Sequence, residues 1–472
     1  MSIKSLGKQT LIYGFGHVMV RLVTFLLLPL YTNTFTQEAY GTLSLAYAFM
    51  GFALIIYKYG MDTALMKYAV QESDEKRIRY ITAIFLSQVT TGVLFSFVLI
   101  MIRGSIAEHI LGVYRPDWII YLAIILFLDS LWHLPLLILR AEERATFFIF
   151  LSLVNVIATM VFNIVFVVYM GNGIEGVFTA NLIASGLILI FSLPVILKRI
   201  KIYLFDKEIF KEVLKFALPF LPAGIFTMVM ELSDRYLLEW FLGTSEVGIY
   251  SAGKKMGMLG LTVVMGFNMG WTPYFLKRGK EKGAKSEFSK ITTFFLGIMG
   301  YASLIVSMWV SEIMRISFNK KNLIGSEFWD CEPVVGIILV AYFFFGTYVI
   351  QLPGVYMKEI TNWVPIFRIN GALVLIFSSL ILIPNLGLLG AAYAVVLGFF
   401  AMSITIYLKT FRIYPIVYNL KGIIYPIVLL IVVQIGIENL FIKLFISIFY
   451  PILWYLIVPN EQEKTSLRKM FL

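Results

Sequence analysis

The sequence predicts an all-α integral membrane protein with about fourteen transmembrane helices. Of its 472 residues, 60% are hydrophobic and only 14% are charged, whereas a soluble domain is about 45–50% apolar and about 25% charged. The mean hydropathy is +0.86. A membrane helix needs about 20 largely apolar residues, and such stretches follow one another along nearly the whole chain. This composition excludes a water-soluble globular protein.

The first predicted span stays in the protein, because its apolar run is too long for a signal peptide and lacks a small-residue cleavage site. No connection exceeds about twenty residues, which leaves no room for a separate soluble domain. The predicted spans are 8–31, 41–65, 80–102, 118–139, 147–169, 176–197, 216–242, 246–273, 291–316, 334–355, 363–383, 388–408, 420–437 and 440–458.

The distribution of basic residues predicts the orientation of these spans. Most of the 39 lysines and arginines fall in loops on one side, such as 198–215, whereas the opposite turns "TNTFTQEAY", "GNGIEG" and "GTSEVG" contain none. Cytoplasmic loops of membrane proteins carry the excess of positive charge. Both termini are therefore predicted to be cytoplasmic, and the net charge of +11 needs no nucleic-acid partner.

Cysteine and histidine usage argues against metal or cofactor chemistry. The single cysteine, Cys331, excludes an internal disulfide and any multi-cysteine metal site. The three histidines, His17, His109 and His133, are scattered and form no ligand pattern. No cofactor and no metal are predicted.

Two glycine motifs suggest that the chain contains an internal duplication. Gly41 begins a Gly-x-x-Ser motif that recurs at Gly248, and Gly173-Ile-Glu-Gly recurs as Gly387-Leu-Leu-Gly. The two motif pairs have nearly the same separation along the chain. Each glycine could instead serve only a tight turn or close helix packing. The repeat predicts two six-helix lobes, 1–200 and 206–410, followed by two additional helices within 420–458. Parallel repeats of this kind are related by an axis along the membrane normal.

Several basic residues fall inside the predicted spans. Each costs about 2.5–3.5 kcal/mol if it faces lipid, so most of them are expected to face a watery interior or a partner. A shared cationic cavity would suit a multiply anionic substrate such as a pyrophosphate. The candidate pyrophosphate-binding residues are Arg21, Lys58, Arg235, Lys254, Lys255 and Arg368.

The same charges have a structural interpretation. Lys58 and Arg368 could extend to the cytoplasmic interface, and Arg235 has Glu231 and Glu239 one helical turn away on either side. The carboxylates would tune the charge of the cavity or bind a coupling cation, or they would complete an ion-pair ladder along the seventh span. The candidates for this role are Asp62, Glu231 and Asp234.

Four stretches resemble the oligosaccharide flippases of bacterial polysaccharide biosynthesis. These are "TNTFTQEAYGTLSLAYAF", "GMDTALMKY", "DRYLLEWFLGTSEVGIYSAGKK" and "GLLGAAYAVVLG". The opening "LGKQTLIYGFGHVMVRLVTFLLLPLYT" is also similar to that family's first helix. The family belongs to the superfamily shared with multidrug and toxin extruders (MATE) and the peptidoglycan lipid flippases. The resemblance covers nearly the whole chain, and it implies a MATE-like fold.

The resemblance implies an inner-membrane flippase that moves an undecaprenyl-pyrophosphate-linked oligosaccharide from the cytoplasmic to the outer leaflet by alternating access. By position, the resemblance assigns the family's Asp-Arg pair to Asp234 and Arg235. It assigns the arginine of the family's first helix to Arg21. The implied partners are the lipid-linked oligosaccharide, the bilayer, and a polysaccharide polymerase and glycosyltransferases of the same pathway. No nucleic acid is expected.

Three other functions compete with this interpretation. A cation-coupled drug extruder would favour an acidic cavity, whereas this interior is richer in basic residues. A peptidoglycan lipid flippase would need the same cationic cavity and the same number of helices. A membrane-embedded polymerase or glycosyltransferase would be expected to show a long outer loop or a paired-carboxylate metal site, and the sequence contains no Asp-x-Asp. The chain is therefore expected not to be an enzyme.

Overall fold

The structure is a computed structural model that describes residues 25–72, 74–318, 321–434, 436 and 439–465. Apart from one short hairpin, the regular elements in these ranges are helices, which confirms the all-α prediction. The chain divides into two compact units, Met1–Gly248 and Ile249–Leu472. The predicted lobe boundary near 200–206 remains a prediction.

The described part of the first unit consists mainly of α-helices. A π-helix, Ile164–Tyr169, extends the seventh helix, and a 3₁₀ turn, Ile202–Leu204, precedes the ninth. The α-helices are α1 (25–32), α2 (Gln37–Lys58), α3 (Met61–Gln71), α4 (Asp74–Met101), α5 (Arg103–Ile110), α6 (Pro116–Ala141), α7 (Ala145–Asn163), α8 (Gly173–Leu197), α9 (Lys207–Ala217) and α10 (Phe220–Leu242).

A long helix, α11 (Thr244–Arg278), begins in the first unit and continues into the second. The second unit also contains a hairpin of β1 (Ser317–Phe318) and β2 (Lys321–Asn322) and a 3₁₀ turn, Ser326–Cys331. Its remaining α-helices are α12 (Ala284–Arg315), α13 (Glu332–Val349), α14 (Leu352–Met357), α15 (Trp363–Ile413), α16 (Leu420–Val433) and α17 (Leu440–Ile457).

Eleven helical segments in the described part of the chain are long and apolar enough to cross a membrane. They match eleven of the fourteen predicted spans. The other three are the first span, most of which lies outside the described residues, α11, which carries Lys254 and Lys255, and α16, which has 14 residues. The last two helices, α16 and α17, are separate. The structure is thus consistent with fourteen spans.

The predicted span 41–65 was wrong as a continuous helix. Tyr59 and Gly60 separate α2 from α3, with φ angles of 30° and 83°. Positive φ costs glycine little, and it ends a right-handed helix. A methyl group at Gly60 would also overlap the backbone of Ala217 at the end of α9. The break therefore lets the interfacial helix α9 pack against the chain at this point.

Side-chain caps define where several helices begin. Thr36 accepts a hydrogen bond from the Ala39 N–H at the start of α2, and Asp206 accepts two at the start of α9. Asn419 and Asn439 cap α16 and α17 in the same way. These residues satisfy backbone N–H groups that have no partner inside the helix, which matters most at the end of an apolar segment.

The first glycine of the second motif has a similar positive φ angle in both units. Gly173 and Gly387 have φ angles of 57° and 59°, and Gly387 forms the kink between the two halves of α15. Three residues later, Gly176 and Gly390 lie so close to the preceding helical segment that a methyl group would press on its backbone. The turn between two spans therefore requires glycine at both positions.

The first motif brings two helix N-termini into direct contact within the first unit. A methyl group at Gly41 would overlap the Thr244 carbonyl oxygen, and one at Gly248 would overlap the Gln37 carbonyl oxygen. The Ser245 hydroxyl also donates to the Gln37 side chain, at 2.9 Å. The fifth residue of each helix therefore lies against the first residue of the other.

This contact predicts a strong effect of one methyl group. We expect Gly41→Ala to reduce the folded yield sharply, because a Thr244 carbonyl on a helix backbone has little freedom to move. Gly186→Ala is the matched control, since no atom lies within 4 Å of a methyl group at that helical glycine. The measurement is the monodisperse fraction on fluorescence-detected size-exclusion chromatography. Equal yields for the two variants would contradict the close packing of α2 and α11.

Candidate functional site

One cluster of charges in the first unit joins two of the predicted site residues. Lys58 is the last residue of α2, and Asp62 lies in the first turn of α3, where its carboxylate accepts the Thr63 N–H at 2.8 Å. The Lys58 ammonium interacts electrostatically with Asp62 and with Asp129 on α6. The lysine at the end of α2 is therefore within the electrostatic influence of two carboxylates.

Asp129 is a charged residue that the sequence analysis missed. It lies near the middle of α6, about 18–20 Å from either end at 1.5 Å per residue. Its carboxylate accepts hydrogen bonds from Ser185 Oγ at 2.6 Å and from Trp132 Nε1 at 2.8 Å. The sequence carries a signal for this residue, because a lone acidic residue inside an apolar span is as costly as a basic one.

Further polar contacts in the first unit connect α1 and α2 with other helices of the same unit. Asn181 Nδ2 donates to the Tyr47 hydroxyl at 2.8 Å, and the Tyr31 hydroxyl donates to Asn163 Oδ1 at 2.8 Å. Asn163 is also held by a hydrogen bond from its amide to the Thr159 carbonyl. Tyr47 and Lys58 are separated by three helical turns and lie on the same face of α2. That face carries a hydroxyl group and a charged group inside a transmembrane helix.

The charged motif of α10 lies in the same unit. Asp234 is fully buried, and its carboxylate accepts the Arg235 N–H at 3.0 Å. Arg235 and Glu231 are half-buried, and the Arg235 Nε atom has no hydrogen-bond partner among the described residues. The next residue, Tyr236, fixes the helix by donating its hydroxyl to the Leu45 carbonyl at 3.0 Å. This arrangement places a buried carboxylate and, at the next position of the helix, a half-buried guanidinium within the span.

The remaining described cations lie in the second unit. Lys254 lies in α11, a predicted membrane span, and only 2% of its surface is exposed. Its ammonium lies 5.9 Å from the centre of the Tyr250 ring. Lys255 is half-buried. Arg368, near the start of α15, interacts electrostatically with the Tyr348 hydroxyl. A lysine buried to this degree is rare unless it is paired or functional.

Lys443 shows that an intramembrane lysine can also be structural. It lies near the start of α17, is 6% exposed, and forms an ion pair with Glu312 at 2.6 Å. Its ammonium is also 5.8 Å from the Trp309 ring. The sequence analysis missed this residue as well. Its partner is on α12, so the pair attaches the last helix to the second unit.

The structure thus brings Lys58 and Asp62 together, keeps Glu231, Asp234 and Arg235 on α10, and places three cations in the second unit. Arg21 lies outside the described residues. Among the residues that the structure does describe, no group of three or more histidine, cysteine or acidic side chains could hold a metal ion. The chemistry that these side chains offer is electrostatic binding and hydrogen bonding of a charged, hydroxyl-rich cargo.

The architecture is that of the membrane transporters of the multidrug and lipid exporter superfamily. The lipid II flippase MurJ, in an inward closed conformation, superimposes with a TM-score of 0.71 at 13% identity, covering 94% of this chain and 97% of that one. An inward-facing multidrug resistance MATE family transporter gives 0.67 at 15% identity, covering 88% and 95%. The similarity in fold confirms the MATE-like prediction.

The chain belongs to the polysaccharide biosynthesis protein family, whose model matches residues 6–278. Two relatives have similar lengths. A protein of the Lsg locus of Haemophilus influenzae is 20% identical over 84% of this chain and 98% of its own length. An uncharacterized membrane protein of Methanocaldococcus jannaschii is 21% identical over 81% of this chain and 79% of its own. The predicted family is confirmed.

Proposed function

We propose that the protein is a flippase for an undecaprenyl-pyrophosphate-linked oligosaccharide. It would move this lipid from the cytoplasmic to the outer leaflet of the inner membrane by alternating access, for surface polysaccharide biosynthesis. The observation that carries the proposal is the burial of basic side chains, Lys254 above all, inside the transmembrane helices of a polysaccharide biosynthesis protein. A pyrophosphate crossing an apolar interior needs such countercharges.

The basic residues would bind the pyrophosphate in turn as it crosses. Guanidinium groups can grip two phosphate oxygens at once, whereas an ammonium acts as a point charge. Arg235 supports this role through its Nε atom, which has no partner among the described residues. The proposed pyrophosphate ligands are Arg21, Lys58, Arg235, Lys254, Lys255 and Arg368.

The acidic residues would set the charge of the path or couple it to a cation. We assign this role to Asp62, Glu231 and Asp234, and the contacts of Lys58 add Asp129. With both carboxylates ionised, the cluster of Lys58, Asp62 and Asp129 has one negative charge in excess. Binding one proton or monovalent cation would neutralise it, and this is the kind of change that a coupling site requires.

We propose that the transporter has two six-helix lobes, 1–200 and 206–410, with two additional helices within 420–458. The common backbone conformation of Gly173 and Gly387 supports a duplicated half. Both termini would face the cytoplasm. The expected partners are the lipid-linked cargo and the polymerase and glycosyltransferases of the same pathway, and the protein itself would catalyse no covalent reaction.

A peptidoglycan lipid flippase is the second candidate, because the cargo of a lipid II flippase also pairs a lipid with a charged head and the fold is shared. Deleting the gene separates the two. We expect an undecaprenyl-pyrophosphate oligosaccharide to accumulate on the cytoplasmic side while peptidoglycan synthesis continues. Mass spectrometry of the extracted lipids identifies the cargo, and accumulation of a peptidoglycan precursor instead would favour the alternative.

A further inference from the structure

The helix α9 lies against the break that separates Lys58 from Asp62. Gly60, in the middle of that break, is two residues from each of the two charged residues. It packs so closely on the Ala217 backbone that a methyl group would overlap the carbonyl group of Ala217. Ala217 is the last residue of α9 and is fully buried. The last turn of α9 therefore forms one wall of the break.

A carboxylate on α9 accepts hydrogen bonds from both helices that follow the break. Glu212 Oε2 accepts from the Tyr80 hydroxyl of α4 at 2.7 Å, and Glu212 Oε1 accepts from the Tyr68 hydroxyl of α3 at 3.2 Å. The two tyrosine rings are stacked with their centres 4.1 Å apart, and both residues are buried. Glu212 precedes Ala217 by about one and a half helical turns. These hydrogen bonds thus attach the end of α9 that contacts the break.

Apolar packing joins the break to the same face of α9. Tyr59 and Met61, on either side of Gly60, belong to one buried hydrophobic cluster with Val213 and Ala217. Closely packed side chains transmit a displacement to their neighbours. A shift of α9 would therefore change the angle at which α2 meets α3.

The break has a second support, on α4, that does not involve α9. The Tyr59 hydroxyl shares a hydrogen bond with Ser87 Oγ and accepts another from Thr91 Oγ1 at 3.3 Å. The break should consequently persist when the attachment of α9 is weakened. The expected change is a shift of Gly60, and with it a different separation of Lys58 from Asp62.

We propose that Glu212 is a positioning residue for Lys58 and Asp62. Its two hydrogen bonds from tyrosines hold α9 against Gly60 and so set the separation of the Lys58 ammonium from the Asp62 carboxylate. The interaction of two charges depends steeply on their separation where water is excluded. This separation then determines how well the pair binds a pyrophosphate or a coupling cation. The inference rests on the roles that the proposed function gives to Lys58 and Asp62.

The test measures the initial rate at which the purified full chain in liposomes translocates a fluorescently labelled undecaprenyl-pyrophosphate oligosaccharide. Tyr68→Phe combined with Tyr80→Phe removes both hydroxyl groups and keeps the stacked rings. Water can solvate the Glu212 carboxylate that remains, because this residue is exposed. At equal amounts of folded protein, the rate is expected to fall roughly threefold to tenfold, the effect of two lost hydrogen bonds.

A Lys58→Gln background separates positioning from a general effect on the fold. If Glu212 acts through the pair, the two tyrosine substitutions should change the rate less than about twofold once Lys58 is neutralised, because coupled residues are not additive. An equal fall of the rate in both backgrounds would overturn the positioning role and leave the function of the pair intact. A wild-type rate for Lys58→Gln alone would overturn the role of Lys58, and the positioning role with it.

Glu212→Gln and Glu208→Gln form a matched pair on α9, and they decide the question if the tyrosine variant fails to fold. A glutamine offers one acceptor oxygen where glutamate offers two, so Glu212→Gln should lose one tyrosine hydrogen bond and slow translocation about twofold to fourfold. Glu208 is exposed and pairs with Lys211 at 2.7 Å on the same helix, so Glu208→Gln should leave the rate unchanged. Equal rates for the two glutamine variants would overturn the proposal.

Discussion

Polysaccharide export is expected to fall to the level of the gene deletion in the triple variant Arg21→Gln, Arg235→Gln, Lys254→Gln. A charge-assisted hydrogen bond contributes about 1.5–3 kcal/mol, so the loss of three cations should slow translocation at least about a hundredfold. The protein should still insert, because a charge that faces a watery path contributes little to packing. The measurement is polymer export from cells that lack the native gene, scored beside the membrane level of the variant.

Three exposed basic residues provide the matched control for this variant. Lys76, Arg79 and Lys211 each form an ion pair with a glutamate three or four residues away in the chain. Such pairs contribute about 0–1 kcal/mol, so neutralising all three should leave export unchanged. Full export by the intramembrane triple variant would remove the cationic path from the mechanism. A loss of abundance that matches the loss of export would favour the ion-pair ladder on α10 instead.

Cysteine labelling is expected to give an all-or-none result for the orientation. The one native cysteine, Cys331, is fully buried, so it should react little and can be replaced by alanine. Asn172→Cys in the turn before α8 should react with an impermeant maleimide from outside intact cells, because it is exposed and the turn carries no basic residue. Lys207→Cys, equally exposed at the start of α9, should react only after the cells are opened.

Ser245→Cys, in the second turn without basic residues, tests the same side of the membrane at the start of α11. It should behave like Asn172→Cys, with slower labelling because it is half-buried. Labelling of Lys207→Cys in intact cells would reverse the orientation. The basic loops would then lie outside the cell and not in the cytoplasm.

The sequence was sufficient for the class of protein, because hydrophobicity over about 20 residues is nearly decisive for a membrane helix. It was also sufficient to predict that the turn at Gly387 separates two spans. It did not predict the break after α2, where Gly60 lies against the backbone of Ala217 at the end of α9. The local sequence pattern carries no information about that tertiary contact.

The side-chain partners were less predictable than the helices. Lys58 was a candidate because it is a cation in a span, but its electrostatic interaction with Asp129 involves residues far apart in the chain. Lys443 was not among the candidates, and the structure pairs it with Glu312 on another helix. Which intramembrane charge is free for cargo depends on such pairings, and they are set by packing.

The central claim is tested most directly by translocation in liposomes that contain only the purified protein. An undecaprenyl-pyrophosphate oligosaccharide with a fluorescent label on its sugar is incorporated in both leaflets, and dithionite is added outside to destroy the accessible label. The account predicts that the protected inner label becomes accessible in liposomes with the wild-type protein, and stays protected with the triple variant Arg21→Gln, Arg235→Gln, Lys254→Gln. Inner label that stays protected with the active wild-type protein, or that is lost equally with the triple variant, would contradict it.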